Sequence, residues 1–177
     1  MKIVCISAKA QHGKDTTAGF LKEVLEAQGK KVLIAHFGDA VKFVAEKYFG
    51  WNGKKDEAGR TLLQYVGTER VRAQSPDFWV NFVVSMLTFF NGEWDYVLIP
   101  DCRFPNEYEI FKDYGFEATL IRVERPGFDN GLTPDQKAHA SETALDGYPF
   151  DAVITNGGTL DQLKHAIEYA VYAEGIV

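Results

Sequence analysis

The chain has few cysteines, and the two it contains do not suggest a disulfide framework. Cys5 and Cys102 are the only cysteines among 177 residues. Both lie in or beside apolar segments that we predict to be core strands. We therefore interpret them as buried thiols in a reducing compartment, not as a disulfide or a metal site. We also expect no signal peptide, because the first predicted strand begins at once.

Positive charge is scarce as well. The chain has 19 Lys and Arg against 25 Asp and Glu, which gives a formal net charge of -6 at pH 7. This balance argues against a nucleic-acid polymer as partner, because such a polymer needs a broad basic face. The longest apolar stretch, residues 78–90, contains Asn81 and Ser85 and is too short to cross a bilayer. We therefore predict a single domain over residues 1–177 with no membrane partner.

The order of the predicted elements indicates an α/β fold. Near-continuous apolar runs predict five β-strands: Ile3–Ser7, Val32–Phe37, Tyr96–Pro100, Ala118–Glu124 and Ala152–Thr155. Helical patterns separate them: Lys14–Gln28, Ala40–Phe49, about Arg60–Gln74, Asp77–Phe90, Pro105–Tyr114 and Leu160–Ala173. Strands that alternate with helices imply a parallel sheet with right-handed crossovers.

Two segments depart from this simple alternation. The first, about residues 38–92, places three predicted helices between the second and third strands. The second, about residues 126–149, is polar and lies between the fourth and fifth strands; we call it the lid segment. In a phosphotransferase these segments would be an acceptor-binding insert and a lid, and the alternative is surface decoration. The length of the lid segment favours a functional or mobile loop.

The most informative motif joins the first strand to the first helix and reads Ala-Lys-Ala-Gln-His-Gly-Lys-Asp-Thr-Thr over residues 8–17. The backbone N–H groups of such a turn can hold phosphates, and the helix dipole adds to the attraction. We predict that Lys14 contacts the β- and γ-phosphates of ATP and that a threonine hydroxyl reaches Mg²⁺. The alternative is a βα turn that binds nothing. The predicted ATP-binding residues are Ala10, Gln11, His12, Gly13, Lys14, Asp15, Thr16 and Thr17, with His12 as a backbone spacer in one interpretation.

Four motifs are spread over most of the chain: Gly13-Lys14-Asp15-Thr16; Gly59-Arg60-x-x-Leu63-Gln64-x-x-Gly67-Thr68-Glu69-x-x-Arg72 followed by Trp79; Asp101-Cys102-Arg103-Phe104-Pro105-Asn106-Glu107; and Arg122 and Arg125 followed by His139-x-Ser141-Glu142. In order and spacing they resemble the phage-type deoxynucleoside monophosphate kinases, within the P-loop kinase group. The resemblance implies a three-layer P-loop NTPase fold with a five-stranded parallel sheet. It also implies transfer of the γ-phosphate of ATP, with Mg²⁺, to a (deoxy)nucleoside monophosphate.

Two positions depart from the usual G-x-x-x-x-G-K-[ST] pattern, namely Ala8 and Asp15. The metal-binding hydroxyl would then come from Thr16. Asp101 stands just after the third strand, at the edge of the sheet where ligands of open α/β folds bind, and we predict it as the second metal-binding residue. Its alternative role is to cap the next turn. Arg103 has the planar guanidinium that suits a phosphate, and we expect it to bind the acceptor phosphate or the transferring group.

The predicted acceptor insert carries the remaining candidates for substrate binding. Arg60 and Arg72 suit the dianion of a monophosphate, and the amide of Gln64 could recognise a base edge. Trp79 could stack on a base or belong to the core. The full set in this insert is Asp39, Lys42, Arg60, Gln64, Arg72 and Trp79, with Lys42 alternatively a solvated charge.

The end of the fourth strand and the lid segment supply the last group. Arg122 and Arg125 would close over the donor phosphates, stabilise charge in the transition state and exclude water. His139 and Glu142 would share a helix face; the resemblance marks them as substrate-binding, and without it they are a surface pair. The resemblance also suggests that Asn156 borders the donor adenine, whereas the residues alone fit a βα turn equally well.

Two other functions remain open at this point. One is a P-loop kinase of another small metabolite, such as phosphomevalonate. The other is a nucleotide-dependent switch that holds ATP without transferring phosphate. The base of the acceptor, the preference for ribose or deoxyribose, and the oligomeric state, including a homodimer, are also left open by the sequence.

Overall fold

The computed structural model describes residues 1–173, 175 and 176. One sheet contains β1 (Lys2–Ala8), β2 (Val32–Ile34), β3 (Tyr96–Ile99), β4 (Glu117–Glu124) and β5 (Ala152–Thr155). Its order is β2-β3-β1-β4-β5, and every neighbouring pair is parallel. The predicted five-stranded parallel sheet is confirmed.

The helices follow the predicted order with shifted ends. They are α1 (Lys14–Ala27), α2 (Phe37–Phe49), α3 (Glu57–Gln64), a π-helical continuation (Tyr65–Arg72), α4 (Phe78–Phe89), α5 (Pro105–Asp113), α6 (Pro134–Ala138), α7 (Ala140–Thr143) and α8 (Leu160–Tyr172). The short helices α6 and α7 fall inside the lid segment.

The prediction of β2 was wrong at its carboxyl end. The strand ends at Ile34, and Phe37 is the first residue of α2. His36 keeps extended backbone angles just before the helix begins. Phe37 is buried from its helical position, so the apolar run continues from the strand into the helix. Hydrophobicity by itself therefore gave no signal for the change of structure.

The chain divides into two compact units. Residues 1–35 and 91–177 form the unit that contains the sheet. In this unit Val4 and Ile6 belong to a core that includes Leu21 and Leu25 of α1 and Ile167 of α8. Successive side chains of a strand point to opposite faces, so Cys5 faces the other way. Its sulfur lies 3.9 Å from the carbonyl oxygen of Glu107 in α5. Helices therefore cover both faces of the sheet in three layers.

The parallel arrangement gathers the candidate residues at one edge of the sheet. β1 leads into the loop before α1, β3 leads to Asp101, β4 leads to Arg125 and β5 leads to Asn156. β1 lies between β3 and β4, so later strands are added on both sides of β1. Such a reversal of strand order opens a crevice at the carboxyl ends of the strands.

Residues 36–90 form the second unit, which contains α2, α3, the π-helical stretch and α4. Its core includes Ala45, Val66 and Trp79. Asp56 caps α3 by accepting a hydrogen bond from the backbone N–H of Gly59, 2.8 Å away. Capping of this kind fixes where the helix starts.

Gly59 is required because the second unit leaves no room for a side chain at this position. A Cβ at Gly59 would lie 2.0 Å from the carbonyl oxygen of Lys54 and 2.9 Å from Nε1 of Trp51. We expect Gly59→Ala to lower the free energy of unfolding by about 1–3 kcal/mol, because the backbone must move. Gly19→Ala is the matched control, since nothing lies within 4 Å of a Cβ there. It should raise the stability of α1 by about 0.5–1 kcal/mol. Urea denaturation followed by circular dichroism measures both, and equal effects would contradict the packing argument.

Candidate active site

The loop between β1 and α1, residues 9–13, has the conformation of a backbone cradle. Gln11 and Gly13 both have positive φ, +63° and +97°. The side-chain amide of Asn156 donates a hydrogen bond to the carbonyl oxygen of His12 at 3.0 Å. A Cβ on Gly13 would lie 2.5 Å from Nδ2 of Asn156. Glycine at position 13 is thus needed for both its backbone angles and its close approach to Asn156.

The first turn of α1 presents Lys14 and Thr16 differently from Thr17. The ammonium group of Lys14 lies 2.5 Å from Oδ2 of Asp15. Thr16 is exposed, whereas Thr17 is fully buried and its hydroxyl has no hydrogen-bond partner among the described residues. The structure therefore favours Thr16 over Thr17 as the hydroxyl that a bound ion could reach. The N–H groups of a first helical turn lack partners within the helix and suit an anion.

Each residue of the loop from Lys9 to His12 contacts the segment that follows β4. Lys9 pairs with Asp146 and donates to the carbonyl oxygen of Glu142. The backbone N–H of Ala10 donates to Oε2 of Glu142 at 2.8 Å, and the Gln11 amide donates to the carbonyl oxygen of Asn130 at 3.0 Å. Nδ1 of His12 accepts from the backbone N–H of Arg125 at 3.1 Å. The lid segment and the strand end before it therefore lie directly on the loop.

Arg103 and Glu142 form an ion pair beside the loop. Nη1 of Arg103 lies 2.8 Å from Oε1 of Glu142, and it also donates to the carbonyl oxygen of Ser141 at 3.3 Å. Only 7% of the Glu142 side chain is exposed, compared with 33% for Arg103. The backbone N–H of Arg103 donates to the buried carboxylate of Glu107, which caps α5. Arg103 is therefore held at its backbone and at its guanidinium.

Arg122 lies in a different environment from the one we predicted. It belongs to β4 and is only 7% exposed. Its guanidinium donates to the hydroxyl of Ser7 at 3.0 Å, pairs with Asp146 at 3.3 Å and lies over the ring of Phe150. A guanidinium with these partners links β1, β4 and the lid segment. This burial favours a structural role over closure onto the phosphates, and its predicted contact with ATP stays a prediction.

Arg125 directly follows β4 and contacts an aromatic ring of the lid segment. Its guanidinium is 4.1 Å from the centre of the Phe128 ring, a cation–π contact, and Phe128 also packs edge-on against His12 at 6.1 Å.

His139 caps α7 by accepting from the backbone N–H of Ser141, and Glu142 lies inside that helix. The expectation that His139 and Glu142 share one helix face was therefore wrong, because α7 begins after His139.

Burial lowers the pKa of His12, and the neighbouring guanidinium of Arg122 adds to the effect. The lowered pKa agrees with the hydrogen bond, because Nδ1 can accept from Arg125 only when it carries no proton. His12 is therefore more than a spacer: as a neutral ring it ties the loop to the end of β4.

Asp101 follows β3 after Pro100 and is partly buried. Within the described residues no cluster of three or more His, Cys, Asp or Glu could hold a metal. Mg²⁺ that travels with a nucleotide is commonly held by phosphates and one or two protein oxygens. The exposed hydroxyl of Thr16 and the carboxylate of Asp101 are oxygens of the right chemical kind, so the residues present fit such an ion.

The candidates in the second unit have their own contacts there. Lys42 pairs with Asp39 at 2.7 Å, and Nε of Arg60 donates to the carbonyl oxygen of Lys55 at 3.0 Å. Gln64 ends α3 and is exposed, and Arg72 ends the π-helical stretch.

Trp79 is 3% exposed, and its indole N–H donates to the carbonyl oxygen of Gly67 at 3.0 Å. This burial favours the core interpretation of Trp79 over stacking on a base.

Sequence reasoning missed Lys9, Asn130 and Asp146. Lys9 lies at an unspecified position of the loop motif, and its partner Asp146 is 137 residues away along the chain. No local pattern pairs residues so far apart. Sequence reasoning did identify the thiols correctly: Cys5 and Cys102 are buried and free. A hydrogen bond with Cys5, together with burial, holds the pKa of the Cys102 thiol well above its usual range.

Comparison with known proteins identifies the family. The sequence model of the family described as deoxynucleotide monophosphate kinase matches residues 30–167. The chain belongs to the deoxynucleotide monophosphate kinase family. The resemblance that we drew from four motifs is confirmed. The match begins after the loop of residues 9–13, so the assignment of that loop rests on its own motif and geometry.

Two deoxynucleotide monophosphate kinases are similar to this family member in sequence. The enzyme of Enterobacteria phage T4 is 36% identical over 111 residues, and that of Escherichia phage RB69 is 32% identical over 111 residues. Each alignment covers 62% of this chain but only 43% of the relative. The aligned region thus spans less than half the length of either curated relative.

Solved structures show the fold of this deoxynucleotide monophosphate kinase family member. APS kinase CysC of Mycobacterium tuberculosis, in complex with AMPPNP and APS, has a TM-score of 0.54 at 14% identity and covers 94% of this chain and 95% of that chain. A sugar kinase from Janibacter sp. HTCC2649 has a TM-score of 0.54 at 13% identity and covers 100% of this chain and 96% of that chain. The predicted P-loop kinase fold is confirmed.

The bond between His12 and Arg125 predicts a pH dependence of stability. The folded state resists protonation of His12, whereas the unfolded chain takes up this proton below a pH of about 6.5. Stability should therefore fall as the pH is lowered through that value. His12→Asn keeps an acceptor oxygen near the position of Nδ1 and does not titrate. We expect its melting temperature to fall less than that of the wild type between pH of about 7.5 and 5.5. Parallel curves would contradict this account.

Proposed function

We propose that the chain transfers the γ-phosphate of ATP to a deoxynucleoside monophosphate, giving ADP and the diphosphate. Membership of the family supports this reaction, and so does the loop with Gly13 and Lys14 at the carboxyl end of β1. The observation that carries the proposal is the position of Arg103. Its guanidinium pairs with the carboxylate of Glu142, which also accepts a hydrogen bond from the backbone N–H of Ala10 in that loop. A loop that holds one phosphate chain and an arginine beside it are the two parts that phosphoryl transfer requires.

The loop would bind the donor. The N–H groups of Gln11 and of residues 13–16, together with the ammonium group of Lys14, would hold the β- and γ-phosphates. Asn156 would support the loop from the end of β5. Bound Mg²⁺ would supply positive charge that polarises the transferring phosphoryl group. Thr16 and Asp101 are the residues we assign to it.

Arg103 would hold the acceptor phosphate or the group in transfer. Nη1 is engaged by Glu142 and Ser141, and the guanidinium has further N–H donors on Nη2 and Nε. A planar pair of donors can bind two oxygens of one phosphate. Charge that develops on the phosphoryl group is stabilised best by donors that are already in place, as Arg103 is.

The lid segment would keep water away from the donor. Its contacts with Lys9, Ala10 and Gln11 place it on the loop, where hydrolysis of ATP is the competing reaction. Arg125, next to His12, is the arginine of this region that we assign to the donor phosphates. We propose that the second unit, with Arg60, Gln64 and Arg72, binds the acceptor nucleotide.

No helix of the described residues has the length and hydropathy needed to cross a membrane. The curated relatives are phage proteins, and we infer that the reaction takes place in the cytoplasm of a host cell.

A panel of acceptors tests the proposed reaction. Formation of ADP from ATP and Mg²⁺ should rise well above the rate without acceptor when deoxynucleoside monophosphates are added. We expect phosphomevalonate to leave the rate at background, because it has no base for the acceptor unit to recognise. A matched set of ribonucleotides tells whether the 2′-hydroxyl is rejected. Background turnover with every monophosphate would overturn the proposal and favour a binding switch.

Lys14→Ala tests the loop directly. We expect the variant to keep the melting temperature of the wild type, and kcat to fall by about 100-fold or more because positive charge at the transferring group is lost. Lys22→Ala is the matched control, since Lys22 is a partly exposed lysine of the same helix that pairs with Glu26. Its kcat should equal that of the wild type. Near-normal turnover by Lys14→Ala would reject the role of Lys14.

A further inference from the structure

Glu142 is a buried carboxylate with a partner on each oxygen. Oε1 accepts from Nη1 of Arg103 at 2.8 Å, and Oε2 accepts from the backbone N–H of Ala10 at 2.8 Å. A carboxylate removed from water is costly unless it is paired and hydrogen-bonded, and Glu142 meets both conditions. One side chain therefore connects the arginine after β3 with the phosphate-binding loop after β1.

The backbone around Glu142 is anchored to the same two elements. The ammonium group of Lys9 donates to the carbonyl oxygen of Glu142 and pairs with Asp146, while Nη1 of Arg103 donates to the carbonyl oxygen of Ser141. Residues 141–146 are thus held by the loop on one side and by Arg103 on the other. The carboxylate of Glu142 has little freedom to leave this position.

These contacts do not suit the substrate-binding role that resemblance implied for Glu142. Both of its oxygens already have partners, and its negative charge would repel a phosphate brought into direct contact. Arg103 can neutralise that charge and still offer Nη2 and Nε to a phosphate. The arginine is therefore the group that touches substrate, and the glutamate acts through it.

We propose that Glu142 is a positioning residue that sets the guanidinium of Arg103 at a fixed place relative to the phosphate loop. This inference rests on the proposed function, since it assigns Arg103 to a phosphate. Phosphates held by the loop and by Arg103 react only when they are aligned, and a shift of about 1 Å can cost about 100-fold in rate. By holding Ala10 and Arg103 with one carboxylate, the lid segment sets that alignment before substrates arrive.

A double-mutant cycle tests the proposal in the full chain. Glu142→Gln removes the charge and keeps the shape, and we expect kcat to fall by about 10-fold to 100-fold while KM for ATP changes by less than about 3-fold. In an Arg103→Ala background the same substitution should change kcat by less than about 2-fold, because its effect passes through Arg103. If turnover of Arg103→Ala is too slow to detect, the affinity of each variant for the deoxynucleoside monophosphate, measured by calorimetry, takes the place of kcat in the cycle.

Two further variants serve as controls. Glu142→Asp keeps a charge beside Arg103 in case Glu142→Gln does not fold, and it should show an intermediate loss that is again coupled to Arg103. Glu26→Gln is the same substitution at an exposed carboxylate of α1 that pairs with Lys22, and it should leave kcat unchanged.

Losses at Glu142 and Arg103 that simply add would overturn the proposal, because Glu142 would then act independently of Arg103. Unchanged kcat, or increased kcat, in both Glu142 variants would overturn it as well. A wild type with no kinase activity on any monophosphate would instead reject the proposed function, so the two failures are distinguishable.

Discussion

The parallel pairing of β1 with both β3 and β4 is the constraint on which the candidate site depends. Cys5 of β1 is in register with Ile99 of β3 and with Leu120 of β4, so the three strands reach the same edge of the sheet. The turns that follow them carry Gly13, Asp101 and Arg125. A slip of one residue would turn every side chain of a strand to the opposite face of the sheet, so the packing of the core holds this register.

The lid segment then determines how the polar groups at this edge are arranged. Cationic side chains from three places are each held by a carboxylate or an aromatic ring: Lys9 by Asp146, Arg103 by Glu142 and Arg125 by Phe128. Such groups need little reorganisation when an anion binds, which is the condition for strong electrostatic stabilisation. Arg122 has a different place in the arrangement, since it is buried and connects β1 with β4. The same residue type thus has a structural role at one position and a candidate catalytic role at another.

In the second unit, residue type was a poor guide to which side chains could contact a nucleotide. Trp79 and Gln64 are both plausible contacts for a base, but Trp79 is buried among Ala45 and Val66, while Gln64 is exposed. The motif that runs from Gly59 to Arg72 includes at least one position set by space, since a side chain at Gly59 would meet the carbonyl oxygen of Lys54. Motif residues of a family therefore include both contacts for ligands and requirements of packing.

The sequence by itself determined the five strands, the order in which helices separate them and the loop around Gly13 and Lys14. These features are local: a period of hydrophobicity, a glycine followed by a lysine and hydroxyl residues, and the start of a helical pattern can all be read within about a dozen residues. It could not locate the end of β2, because the apolar run continues into Phe37 of α2.

Only the tertiary structure decided which charged groups meet. Ala10 and Glu142 are 132 residues apart along the chain, and Ser7 and Arg122 are 115 apart. Contacts over such separations depend on strand order and on the path of the lid segment, which no local pattern contains. The physical reason is the free-energy cost of burying a charge without a partner. That cost is present only in the folded protein, because in the unfolded chain water solvates the same group.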